Sequence, residues 1–403
     1  MPLRSPAIAA LLDDAVGRGA MPGVVALAVD RDGTLFEAAA GWRDRPGDGA
    51  MAQDTIFWLA SMTKPVVSVA AMQLVEQGRL ELDAPVGEIV PALAAPRVLE
   101  GFDPAGAPVL RPARTAMTLR HLLSHTAGYG YHFWNPAFGR ALACAGLPPI
   151  PTNWDEVART PLLFDPGTRW SYGLSTDMLG LVVEAASGQS LDDYLRAHVL
   201  GPLGMSDTVF YLEPRQRARL ARMHRRAGDG LLRPIDWPAG DGQGFAGGGG
   251  GLCGTAGDYG RFLRLLLNGG VLDGVRLLRA ETVAEMGRNQ IGELTVHTLV
   301  SAVPRLTNDV NLFPGLEKPG MEQKWGLGFL LNSEPGPNGR SANSLAWAGL
   351  ANCYFWLDPA QGVAGCLLTQ ILPFADAAAL EMFAAVERAV YARPPSETGR
   401  VSA

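Results

Sequence analysis

Lysine is nearly missing from this chain of 403 residues: Lys64, Lys318 and Lys324 are all there is. Charge is modest as well, with 18% charged residues and a formal net charge of -6 at pH 7. Without a positive field the chain is not expected to bind nucleic acid or an anionic membrane. Cysteine is scarce too. Cys144, Cys253, Cys353 and Cys366 lie far apart with no CxxC pairing, so they are expected to be buried thiols rather than disulfides or zinc ligands. Long apolar runs are absent. The opening stretch MPLRSPAIAALLDDAVGRG is interrupted at Asp13 and Asp14, too early for a signal-peptide core or a spanning helix. It reads as an amphipathic first helix, and the cytoplasm is the expected location. There is no G-x-S-x-G, which excludes the nucleophile elbow of α/β-hydrolases.

What is present is an ordinary globular composition, 47% apolar, in a chain long enough for a two-lobed enzyme. Gly23–Val29 and Leu35–Ala40 are β-like runs joined by the turn Asp30-Arg31-Asp32-Gly33, an antiparallel hairpin. Ile56–Ala60 is a further β-like run, followed by a helix from about Ser61 to Gln77, stopped by Gly78. That helix is apolar nearly all round and should be buried. From about Leu80 to Gln323 the chain is rich in glycine and proline, with helices expected at Thr118–Leu123, Ser175–Ala186 (ended by Gly188) and Ala256–Leu267. Trp325–Leu331, Ser344–Gly349, Tyr354–Leu357 and Val363–Gln370 read as successive strands, and Ala375–Tyr391 as a last helix. Strands at both ends around a helical middle predict a discontinuous domain, 1–80 with 324–403, and a mainly helical insertion, 81–323.

Ser61 and Lys64 carry the chemistry. Residues three apart on a helix share a face, so Lys64 can reach the Ser61 hydroxyl. Pro65 is tolerated only near a helix start, which places Ser61 at the positive end of the helix dipole, where a developing anion is stabilised. A buried lysine loses hydration when charged, so its pKa falls and it can serve as a base. That is the activation a serine nucleophile needs. A helix-capping serine beside a surface lysine is the bland alternative; the shortage of lysine and the apolar surroundings weigh against it.

The segment Thr55–Lys64 resembles the start of the serine β-lactamase/penicillin-binding-protein superfamily, in its class C β-lactamase-like branch. Family VIII carboxylesterases are the nearer likeness. Three further stretches match in order: Thr118–Gly128; Pro166–Tyr172 continuing to Leu179-Gly180; and Trp347-Ala348-Gly349 with Phe355–Pro359. The resemblance implies an α+β, β-lactamase-like fold: an antiparallel sheet flanked by helices, built from both chain ends, plus a mainly helical inserted domain. The active site is then expected at the interface of the two. It implies that Ser61 is the nucleophile and that Lys64 and Tyr172 are the proton-transfer pair, with Lys64 favouring a Tyr172 phenolate or relay. It further implies an oxyanion hole from the backbone N–H groups of Ser61 and Leu350, and a place for Gly349 where substrate lies close to the backbone.

Two departures bear on the substrate. Trp347 stands where β-lactamases carry the lysine of Lys-Thr-Gly, which removes a cation expected to meet a carboxylate. Leu174 stands where the Tyr-x-Asn amide would be. Both favour neutral, apolar esters over lactams. Tyr131, in the aromatic loop Gly128–Trp134, matches a site-lining tyrosine of family VIII esterases. Tyr131, Trp347, Gly349 and Leu174 are accordingly the expected substrate-binding residues.

No metal and no cofactor is expected. His121 and His125 are spaced i, i+4, with His132 following, but no supporting Glu or Asp accompanies them. The Gly247–Gly251 run lacks the Lys-Ser/Thr of a phosphate loop and reads as a close-packed turn. The expectation is therefore a serine carboxylesterase whose partner is a small ester with an apolar acyl or alcohol group. The run Trp347–Asn352 through Thr369–Phe374 also resembles statin-side-chain acyltransferases, so acyl transfer to an alcohol is the first rival. A β-lactamase or D-alanyl peptidase comes second, and a non-catalytic binding protein last.

Overall fold

A computed structural model describes residues 6–44, 47, 49–149, 152–241, 246–310 and 320–392. Its centre is a seven-stranded antiparallel sheet. The strands are β1 (Gly23–Asp30), β2 (Thr34–Gly41), β3 (Gln323–Trp325), β4 (Leu330–Asn332), β5 (Leu345–Gly349), β6 (Cys353–Asp358) and β7 (Val363–Leu368). Their order across the sheet is β3-β4-β5-β6-β7-β1-β2. The N-terminal hairpin thus completes a sheet begun by the C-terminal strands, joined where β1 pairs with β7 from Val25↔Leu368 to Asp30↔Val363.

Both faces of this sheet are covered. All of β6 is buried, and its side chains alternate as a pleated strand requires. Tyr354 and Trp356 meet Phe383 of the last helix, while Phe355 meets Tyr259 on the other side. Six helices frame the site and the sheet: α1 (Pro6–Gly17), α2 (Thr63–Glu76), α3 (Leu119–Leu123), α4 (Ser175–Ser187), α5 (Ala256–Leu267) and α6 (Ala377–Tyr391). Helices α1 and α6 pack together on one face, and α5 lies across β1 and β7 on the other. Helix α2 is buried from Thr63 to Leu74 and packs on α4. Gly188 ends α4 in the left-handed region, at φ 71°, where glycine carries no Cβ penalty.

Three expectations need correction. Cys253, Cys353 and Cys366 are buried thiols, but Cys144 is exposed. Trp325–Leu331 is not one strand but a tight reversal between β3 and β4, with Gly328 at φ 99°. The turn is held from outside the hairpin: Leu327 N–H donates to Met286 O and Gly328 N–H to Leu123 O. The run Ile56–Ala60 shrinks to a two-residue pairing, Phe57-Trp58 against Cys253-Gly254. Its end turns sharply into the helix instead of extending. No described helix is long and apolar enough to cross a membrane.

Candidate active site

Ser61 sits in a 3-10 turn, Ala60–Met62, that leads directly into α2. Ala60 is the hinge of this turn, with φ 47°, a conformation that is uncommon for a residue with a side chain. The surrounding structure secures it. Leu59 N–H donates to Leu252 O at 2.9 Å, the Tyr259 hydroxyl to Met62 O at 3.2 Å, and Leu252 N–H to Thr63 Oγ1 at 3.1 Å. Strand β5 comes up against the same turn. A Cβ on Gly349 would lie 2.3 Å from Leu59 O, so this glycine is required by backbone meeting backbone, before any substrate is considered.

Lys64 lies one turn on and is 1% exposed. Its Nζ is 3.1 Å from Ser61 Oγ, and it donates to Tyr131 Oη at 3.1 Å and to Gly249 O at 2.6 Å. Burial pushes the lysine down to about 7, opposed in part by the Asp177 carboxylate. At neutral pH a large share of it is therefore uncharged and able to accept a proton.

Tyr172 reaches the other side of the hydroxyl. Its oxygen bonds with Ser61 and accepts the Trp347 indole N–H at 2.9 Å. Burial raises its pKa above that of a free phenol, and Lys64 Nζ stands over its ring, 4.8 Å from the centroid, instead of at its oxygen. Desolvation outweighs the Ser61 and Trp347 hydrogen bonds that favour the phenolate, so the neutral phenol is the favoured form.

The second motif supports this arrangement from behind. Thr118 caps α3 reciprocally with His121: His121 N–H donates to Thr118 Oγ1 at 3.3 Å and Thr118 N–H to His121 Nδ1 at 3.2 Å. His125, at φ 57°, is buried with its ring 4.8 Å from Tyr172 and 5.0 Å from Trp325. Burial and Lys64 push its pKa well below that of a free imidazole, so it is a neutral packing surface for the tyrosine.

Two contributors escaped the sequence reading. Asp177, in the first turn of α4, is 7% exposed and accepts Gly249 N–H at 2.8 Å. Burial raises its pKa, against the pull of Lys64 and of Gly249 N–H. The glycine run beneath it is a close-packed turn, and it also belongs to the site. A Cβ on Gly249 would lie 2.3 Å from Asp177 Oδ2, and Gly250 O accepts the Trp58 indole N–H at 2.8 Å.

Ser61, Tyr131, Tyr172, Leu174, Trp347, Gly349 and Leu350 all line one cavity of about 250 Å³. Phe133, Val296, Leu299, Val310 and Phe374 make much of the remaining wall apolar. Tyr129, in the same aromatic loop as Tyr131, is a core residue at 1% exposure. Among the described residues, no lysine or arginine lines the cavity.

Residues 8–388 match the Beta-lactamase family model. The chain is 33% identical to monacolin J acid methylbutanoyltransferase of Aspergillus terreus, over 93% of this chain and 92% of that protein. It is 31% identical to esterase EstB of Burkholderia gladioli, over 95% and 94% of the two chains. Unliganded simvastatin synthase (LovD) from Aspergillus terreus superposes with a TM-score of 0.82 at 29% identity, covering 98% of each chain. EstCE1, a hydrolase with promiscuous acyltransferase activity, shares the fold at TM-score 0.74 and 23% identity. By its fold and by its likeness along nearly the whole chain, this protein belongs to the beta-lactamase family, whose members similar to it include both esterases and acyltransferases.

Proposed function

We propose that the protein is a serine carboxylesterase acting through a Ser61 acyl-enzyme. The observation that carries this reading is a Ser61–Lys64–Tyr172 contact set beside an apolar cavity whose wall, among the described residues, holds no lysine or arginine. Neutral Lys64 takes the Ser61 proton as Oγ attacks the ester carbonyl. The oxyanion is assigned to the backbone N–H groups of Ser61 and Leu350. Tyr172, protonated at rest, gives its proton to the departing alkoxide as the C–O bond breaks. The resulting phenolate keeps the Trp347 N–H bond and faces a now cationic Lys64. In the second half, water attacks the acyl carbonyl and returns a proton to Tyr172, while the leaving Ser61 alkoxide recovers its proton from Lys64. Leu174 and Trp347, in the positions where a lactam site would present an amide and a cation, support an ester over a β-lactam.

Acyl transfer is the second reading. It is supported by the 33% identity to a methylbutanoyltransferase and by a cavity whose apolar walls disfavour water. Nitrophenyl esters of increasing acyl length, offered to wild type and Ser61→Ala, test the first reading. Turnover by wild type with a loss of at least about 10³-fold in the variant is expected; equal rates in the two would overturn it. Adding alcohols to the same assay decides the second: a product mix indifferent to every alcohol removes acyl transfer.

A further inference from the structure

The cavity holds polar groups that the reaction does not use. Gln323, at the start of β3, is 4% exposed and lines the cavity. Its side-chain Nε2 is buried with no hydrogen-bond partner among the described residues. An amide N–H left without a protein partner in an apolar wall is unfavourable, and native structures seldom leave one so without a reason. Strand alternation directs it: Gln323 and Trp325 project to the same side of β3, and Trp325 faces Tyr172 and Trp347 at 6.3 and 4.5 Å. His297 lies beside it along the wall. Val296 N–H donates to Gln323 O at 2.9 Å, and the His297 ring lines the same cavity from its exposed rim. Trp134 Nε1 is a second buried donor in the lining without a partner among the described residues. Both spare groups are donors, so what satisfies them is an acceptor oxygen on the ligand.

The ring contacts indicate which part of the ligand reaches them. Tyr172 is the group assigned to protonate the leaving alcohol. From it, aromatic contacts step to Trp325 at 6.3 Å, from Trp325 to Trp170 at 5.6 Å, and from Trp170 to His297 at 5.3 Å. The Gln323 wall therefore continues from the leaving-group side of Ser61.

We propose that Gln323 Nε2, flanked by His297, is an acceptor-binding subsite for the alcohol portion of the substrate, so that the natural ester carries an ether, keto or hydroxyl oxygen there. This rests on the ester reading for its assignment to the alcohol portion, and on the cavity alone for the donor itself.

The test compares cyclohexylmethyl butyrate with its analogue in which the ring carbon opposite the substituent is an ether oxygen. Wild type should favour the ether in kcat/KM by about tenfold, and Gln323→Met should bring the ratio close to one. Equal treatment by wild type, or a preference kept in Gln323→Met, overturns the subsite. A preference that appears only when the ether oxygen is placed in the acyl chain instead of the alcohol ring overturns its assignment to the alcohol. Binding of the same two esters to Ser61→Ala, with and without Gln323→Met, reads the subsite without chemistry. If wild type turns over neither ester, the ester reading fails, and tighter binding of the ether that is lost with Gln323 still supports the subsite.

Discussion

In the proposed reaction, Lys64 sets the pH behaviour. Only its neutral form can accept the Ser61 proton, and burial brings its pKa to about 7. Activity should therefore rise with pH through about 7, and stay high into alkaline pH because burial raises Tyr172. Asp177 favours the lysine cation. Asp177→Asn keeps an acceptor for Gly249 N–H but removes the charge, so Lys64 loses its proton more readily. The acid limb of kcat/KM should then move to lower pH; a limb that stays in place, or moves up, would show that Asp177 does not act on Lys64 through its charge.

At the level of elements, the site is a meeting of backbone segments. Strand β5 approaches the Ala60–Met62 turn with nothing between Gly349 and Leu59. Gly349→Ala should push strand from turn, and with it Leu350 N–H from the position the proposed mechanism assigns to the oxyanion. We expect a fall of about 10²-fold or more in kcat with a stability loss of about 1–3 kcal/mol, read by steady-state kinetics and urea unfolding. A variant with full kcat would mean that the oxyanion is held elsewhere. Some of these elements were legible locally. The i, i+3 spacing of Ser61 and Lys64, Pro65 after them, and Gly188 at the end of α4 each act within one or two helical turns. The β3–β4 reversal was not legible, because its amides find partners at Met286 and Leu123. Nor was the role of the glycine run: Lys64 is 185 residues from Gly249, and Asp177 is 72.

Over the whole molecule, one buried ion pair ties the last helix to the sheet. Arg340 and Glu387 are fully buried, and Glu387 also accepts Asn338 Nδ2–H at 2.9 Å. Residues 338 and 340 lie in the loop between β4 and β5, so α6 is fastened close to the strand that carries Trp347. Glu387→Ala would leave the Arg340 charge buried and unpaired, at a cost of about 3–5 kcal/mol. A clear fall in Tm is the expected result, and an unchanged Tm would show that the pair is dispensable.

The sequence by itself determined the family resemblance, the nucleophile candidate and its lysine, since an apolar helix with one lysine three residues after a serine is a local pattern. It also carried the preference for an ester, through Trp347 and Leu174. Tertiary structure decided the rest. The protonation states of Lys64 and Tyr172 depend on how completely water is excluded around them, and exclusion is a property of packing among distant segments. Gln323 and Asp177 belong to no local pattern at all. They bear on the site only because the fold seals them into the wall of one cavity.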